Sequence, residues 1–225
     1  MTWTELVLSA APARGERPAV TEIRTGEALT YAALSRRITL IAGGLRRRGL
    51  RPGHRILIDL PPGLNLLVGT HAAAWAGGVV CFADPGGEAT MAIDDPGALN
   101  ALAAGGEALE FGPIAGPAMI LGGQVLTQAD LTDDLRRLSK AGLIRPGDVL
   151  LASLTDRLRS LRLLDLALLN GAHIVLAHEP TVLGLRVLAA EHGAGVVAVP
   201  ADLARRLAGQ TELRVLEDSA FARRA

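Results

Sequence analysis

Apolar positions along the chain fall into two recurring rhythms. Leu34, Ile38, Ile41 and Leu45 stand three or four residues apart, which places them on one face of a helix, with Thr30 as the expected N-cap. Arg55-Ile56-Leu57-Ile58 and Val79-Val80-Cys81 then read as short strands, with a helix between them. The same order returns later. Leu131, Leu135 and Leu138 mark a helix with Thr127 or Asp130 at its start, and strands are expected over 149–152 and, after a further helix and a small-residue turn, within 170–176. Gly49-Leu50-Arg51-Pro52-Gly53-His54 introduces the first strand of one set, and Leu143-Ile144-Arg145-Pro146-Gly147-Asp148 that of the other. The chain is therefore expected to hold two similar αβ units. Beyond them follow a helix near 182–192, a strand over 195–199, a helix near 202–208 and a short strand over 213–216.

Strands that alternate with helices of this length pair in parallel through right-handed crossovers. Their nearly continuous apolar character fits sheets covered by helices. The expected fold class is α/β, with mostly parallel sheets. The softer Gly-, Ala- and Pro-rich stretch 85–116, with its junction near Gly112-Pro113, divides the expectation into a first subdomain over 1–112 and a second over 113–225. Residues 219–225 are expected to fray.

Composition narrows the function. The 225 residues carry no formal net charge, so nothing draws the chain to nucleic acid or an anionic membrane. Arg46, Arg47, Arg48 and Arg51 fit a solvated cluster at a helix C-terminus. Leu66 to Ala83 is uncharged, but His71 and Gly77-Gly78 interrupt it, so a helix and a buried strand are expected instead of a membrane span. The N-terminus has no basic segment ahead of an apolar core, and the expected location is cytoplasmic. Cys81 is the only cysteine, which leaves no intrachain disulfide and no thiolate metal cage; its apolar neighbours mark it as a small buried hydrophobe.

Six segments resemble the adenylate-forming (AMP-binding, acyl-CoA synthetase-like) family. Pro18-Ala19-Val20 with Leu29-Thr30-Tyr31-Ala32-Ala33-Leu34 resembles its opening "PA…TY-x-x-L", and Gly49 to Ile58 its "G-L-x-P-G-D-R-V" turn, with His54 in place of Asp. Trp75 to Val80 resembles "K-A-G-A-V", Gln124 to Leu131 resembles "V-V-L-T-H-x-N-L", Asn170 to Leu176 resembles "x-G-A-T-V-V-L", and Ala198-Val199-Pro200 resembles "x-V-P". The resemblance implies the N-terminal part of the family's large domain, and a chain that stops short of its adenine, ribose and Mg²⁺ residues and its mobile C-terminal domain.

It also implies a phosphate loop, T-S-G-T-T-G-x-P-K-G in the family, over residues 114–123. Here Ala115, Pro117 and Ala118 take hydroxyl positions, Met119 a glycine position and Gly122 the lysine position; Gly116 and Gly123 alone match. Gly116, Gly122 and Gly123 are thus the remnant of a cofactor-binding loop. Lys140, the only lysine, matches neither family lysine and is expected on the solvated side of a helix. Oriented dipoles and cations on a transferring phosphate are worth about 2–4 kcal/mol each, so a chain without them is expected to be catalytically silent. It would act by binding an acyl-type small molecule or a protein partner, or by self-association, with no cofactor and no catalytic residue. The alternative is one part of a split or weakly active acyl-adenylating enzyme using ATP and Mg²⁺.

Other constellations are weaker. His54, His71, His173, His178 and His192 lack ligand spacing. Asp94-Asp95 ahead of Pro96 reads as a turn with an Asx-type hydrogen bond. Ser153 and Ser160 lack a glycine-rich elbow. His178-Glu179 follows a strand at the end where α/β sheets bind ligands, and is a minor site candidate.

Overall fold

A computed structural model describes residues 1–83, 86–105, 107–109, 115–179, 181–209 and 212–222. The elements run α1 (Trp3–Val7), α2 (Ala11–Arg14), β1 (Pro18–Glu22), β2 (Glu27–Thr30), α3 (Tyr31–Arg47), β3 (Arg55–Ile58), α4 (Leu64–Trp75), β4 (Val79–Cys81), β5 (Met91–Ile93) and α5 (Pro96–Ala103). They continue with β6 (Pro117–Leu121), β7 (Gln124–Thr127), α6 (Gln128–Lys140), β8 (Val149–Ala152), α7 (Arg157–Leu169), β9 (His173–Leu176), α8 (Val182–His192), β10 (Val196–Val199), α9 (Ala201–Leu207) and β11 (Arg214–Glu217). The α/β class holds. No helix among the described residues is long and apolar enough to cross a membrane; Leu66 to Ala83 is α4 and β4.

Two compact units form, and their chain is interleaved. One comprises Met1–Ser9, Ala33–Pro61 and Asn65–Arg136; the other comprises Ala10–Ala32, Pro62–Leu64 and Arg137–Ala225. This is a different partition from the expected 1–112 and 113–225, whose junction at Gly112-Pro113 lies outside the described residues.

Sheet order explains the interleaving. The first unit holds a five-stranded sheet, β5-β3-β4-β6-β7, and the second a six-stranded sheet, β11-β10-β8-β9-β1-β2. In each, a strand–helix–strand pair lies parallel, a third strand joins its outer side, and an antiparallel hairpin joins the inner side. The hairpin β1–β2 precedes α3 and β3 in the chain but pairs with β9, while β6–β7 precedes α6 and β8 but pairs with β4. The two repeats have thus exchanged hairpins. Both hairpins open on Pro-Ala, Pro18 and Pro117, and both carry an irregularity one step in, between 18 and 20 and between 117 and 119. A proline has no N–H to give the ladder, so a bulge at that point costs nothing further.

The echo extends to single hydrogen bonds. The Arg145 N–H donates to Asp148 Oδ2 at 2.7 Å, and the Arg51 N–H donates to His54 Nδ1 at 3.3 Å. His54 thus fills in the first turn the role that Asp148 fills in the second. The Val79 N–H donates to the His54 carbonyl and the His173 N–H to the Asp148 carbonyl, which sets the register of each strand pair.

In the second unit, Leu151, Val175, Val197 and Val199 present one face of the sheet to Leu185 and Ala189 of α8 and Leu203, Ala204 and Leu207 of α9. Full burial of side chains of this size is worth about 1.5–3 kcal/mol each. Tyr31 is 2% exposed and donates its phenol proton to the Ala172 carbonyl at 2.7 Å. Burial pushes the phenol's pKa up to about 12, against the opposing charge of Arg14.

Candidate functional site

The expected phosphate-loop segment is not a loop where it is described. Residues 117–121 are β6, and Gly122-Gly123 are the whole turn to β7, with Leu121 paired to Gln124. Both glycines have positive φ, 54° and 83°, the geometry of a type I′ hairpin turn that suits strand twist. Gly116 lies ahead of β6 at φ 126°, and its carbonyl accepts the Gln128 N–H at 3.1 Å. The strand therefore separates Gly116 from the Gly122-Gly123 turn. Ile114 lies outside the described residues. From Ala115 to Gly123 no side chain carries a hydroxyl or a positive charge. A triphosphate needs both, along with amides converging on it. The residues present do not fit that group.

Thr127 next to the hairpin is a helix cap. Its N–H donates to Asp130 Oδ2 at 2.8 Å and the Asp130 N–H donates to Thr127 Oγ1 at 3.2 Å, a reciprocal capping pair at the start of α6. Lys140 ends α6, exposed, in the position a helix dipole favours for a cation.

The second unit has an α/β crevice of the kind that binds ligands. From β8 the chain goes to β9 on one side and then crosses to β10 on the other, so the strand order reverses around β8. Loops diverge at the carboxyl ends of such strands and leave a cleft. Here it has a volume of about 250 Å³ and takes Ser153 and Thr155 after β8, His178 and Glu179 after β9, and Asp202 at the start of α9. The His178-Glu179 pair singled out in the sequence lines this cleft. His178 is exposed; the Glu179 carboxylate is occupied by the Thr181 N–H at 2.8 Å and the Thr181 hydroxyl at 2.7 Å. Ser153 donates its hydroxyl proton to the Glu179 carbonyl at 3.1 Å, so that bond orients it without activating it. The polar groups can hydrogen-bond a small polar ligand, and among the described residues of the cleft no nucleophile is paired with a base.

Behind the cleft, Ser160 on α7 is 5% exposed and has no protein partner for its hydroxyl; it lines a cavity of about 10 Å³, room for one water. The remaining expected residues are structural. Cys81 is buried and donates its thiol proton to the Ile56 carbonyl at 3.4 Å. His71 is buried beside Trp3, with Nδ1 3.1 Å from the Thr4 hydroxyl. His173 contacts the Thr21 hydroxyl, and burial first, then the charge of His192, lowers its pKa. Asp95 is the N-cap of α5, but its side chain makes no capping bond, contrary to the expected Asx turn. Among the described residues no three His, Cys, Asp or Glu side chains could hold a metal ion.

Sequence reasoning missed Glu22. It is 2% exposed, and its carboxylate accepts the Leu64 N–H at 3.3 Å and the Thr25 hydroxyl at 2.9 Å. The signal available was Pro61-Pro62-Gly63 ahead of Leu64, a stretch with no capping side chain of its own.

Fold and cleft define a class: an α/β protein with duplicated switch-point sheets and a hairpin where a phosphate loop is expected. Residues 8–92 match the family model of the AMP-binding enzymes. The fold is that of the N-terminal part of adenylate-forming enzymes. The N-terminal domain of FACL13 from Mycobacterium tuberculosis superposes with a TM-score of 0.77 at 16% identity, over 93% of this chain and 65% of that one. MbtA from Mycobacterium smegmatis gives 0.78 at 20% identity, over 95% and 51%, and MatB from Rhodopseudomonas palustris 0.75 at 20%, over 92% and 51%. The chain thus spans about half to two thirds of the length of these structures. No curated protein matches it.

Proposed function

We propose that this protein is a catalytically silent relative of the adenylate-forming enzymes that acts by binding. Its ligand is an acyl-type small molecule held at the carboxyl ends of β8, β9 and β10, or a protein partner, and its setting is the cytoplasm. The observation that carries the reading is the Gly122-Gly123 turn: a two-residue hairpin offers a triphosphate no cradle, and from Ala115 to Gly123 no side chain brings a hydroxyl or an ammonium. The cleft supports the binding half of the reading, because its hydroxyl, imidazole and carboxylate groups are placed to orient a ligand while Ser153 is held by a carbonyl.

The runner-up is one part of a split or weakly active acyl-adenylating ligase, for which ATP and Mg²⁺ would be required. The match over residues 8–92 to the AMP-binding enzyme model favours it to that extent. An ATP–pyrophosphate exchange assay with Mg²⁺ and a panel of carboxylic acids separates the two. The purified chain should exchange no faster than the buffer blank. Acid-dependent exchange above the blank would establish the runner-up.

A further inference from the structure

The two repeats differ in how the chain returns from their second strand to their third. In the second unit the return from β9 to β10 is α8, which lies across the sheet and covers Leu151, Val175 and Val197. In the first unit the return from β4 to β5 is residues 82–90, and none of the described residues among them is helical. The registers of the two sheets make Leu57, Cys81 and Ala92 the counterparts of Leu151, Val175 and Val197. Pairing continues that row through Ile120 to Val125 across all five strands. In the second unit the three residues are fully buried; in the first, Cys81 at the centre of the row is buried, but Leu57 and Ile120 are half-buried, Ala92 is exposed and Val125 is 50% exposed. A groove of about 510 Å³ lies on this face, floored by Cys81, Phe82, Ile120 and Val125, with the Arg55–Glu88 ion pair at its side.

The protein carries a surface that matches the uncovered face. Along α8, Leu183 is 71% exposed and Val187 47%, and Ala190 is exposed as well. The spacing of three and four residues makes them one ridge, on the side of α8 away from Leu185 and Ala189. Apart from Met1, the exposed large hydrophobic side chains among the described residues are Val125 in the groove and Leu183 and Val187 on the ridge. Exposed Arg186 and Glu191 flank the ridge as Arg55 and Glu88 flank the groove, one charge of each sign on each surface. With no net charge on the chain, long-range repulsion between copies is absent.

We propose that the bare sheet face of the first unit is a docking site for α8 of a second copy of this chain. The ridge Leu183-Val187-Ala190 packs onto the row from Leu57 to Val125, supplying from outside the helix layer that the second repeat makes for itself. Ridge and groove are different surfaces, so the contact is heterologous, and it closes as a ring or grows head to tail.

Sedimentation velocity across a concentration series tests this with three proteins: the parent chain, Leu183→Glu with Val187→Glu, and Val125→Glu. Both altered surfaces are solvent-facing in the monomer, so folding, checked by circular dichroism, is retained. The parent should associate with rising concentration, and each altered protein should do so with a dissociation constant raised more than about tenfold, since each docks an unpaired charge. Mixing the two altered proteins should restore one contact, between the intact groove of one and the intact ridge of the other. A parent that stays monomeric throughout overturns the proposal, as does association that survives either substitution or a mixture that fails to recover. A monomer whose groove takes up a fatty acid, with binding lost in Val125→Glu alone, would overturn it too and assign the face to a small ligand.

Discussion

Gly44→Ala lowers the unfolding free energy by about 2 kcal/mol, although alanine is the better helix former. Gly44 lies inside α3, where exchange for alanine ordinarily gains about 1 kcal/mol. Here the added methyl would stand 2.2 Å from the Leu102 carbonyl oxygen and 2.8 Å from its carbon. Backbone at the end of α5 cannot rotate away as a side-chain tip would. Gly43 beside it is hemmed in the same way, by the Glu107 carbonyl at 2.1 Å. The pair lets the end of α5 and the segment after it lie directly on the α3 backbone. Overpacking against a fixed neighbour costs about 3 kcal/mol at the upper end, which outweighs the helix gain. Gly195→Ala is the control, since nothing lies within 4 Å of its added methyl and its φ is ordinary. Urea unfolding should show Gly44→Ala destabilised and Gly195→Ala unchanged or slightly improved. Equal stability of the two would show that the α3–α5 approach is looser than described.

Glu22→Ala should cost about 2–4 kcal/mol in the same experiment. The substitution leaves the buried Leu64 N–H without its acceptor, and the hydroxyl of exposed Thr25 loses one partner. Nearby Gly63 has φ 154°, and a methyl on it would stand 2.7 Å from Glu22 Oε1, so the carboxylate also sets which residue the chain tolerates there. Glu22→Gln keeps one acceptor oxygen and should lose less. A Glu22→Ala protein within 0.5 kcal/mol of the parent, the range of ordinary surface changes, would mean that water replaces the carboxylate at no cost.

Periodicity served the fold well wherever a residue's neighbours in sequence decide its structure. The two Arg-Pro-Gly turns, the strands they lead into and the helix over 182–192 were legible because their hydrophobic spacing and turn residues agree. Strand partners were not legible. Nothing local in Pro18 to Thr30 says that it pairs with 173–176, nor in Pro117 to Thr127 that it pairs with 79–81, and so the interleaving of the units escaped a linear division. The segment 114–123 could be aligned only by counting. The count put Gly122 at a lysine position, while the hairpin register makes it half of a two-residue turn. Glu22 escaped because an acid at the end of a short alternating strand ordinarily faces water. The uncovered face of the first sheet escaped for a different reason: it is defined by a helix present in one repeat and absent from the described residues of the other.

A β6–β7 turn of this kind cannot hold a triphosphate. Equilibrium dialysis of the purified chain against radiolabelled ATP with Mg²⁺, carried into the millimolar range, tests this directly. Retention should rise only in proportion to free nucleotide, with no saturation and no displacement by pyrophosphate. Saturable binding that pyrophosphate displaces, and that falls when Gly122 and Gly123 are replaced, would contradict it.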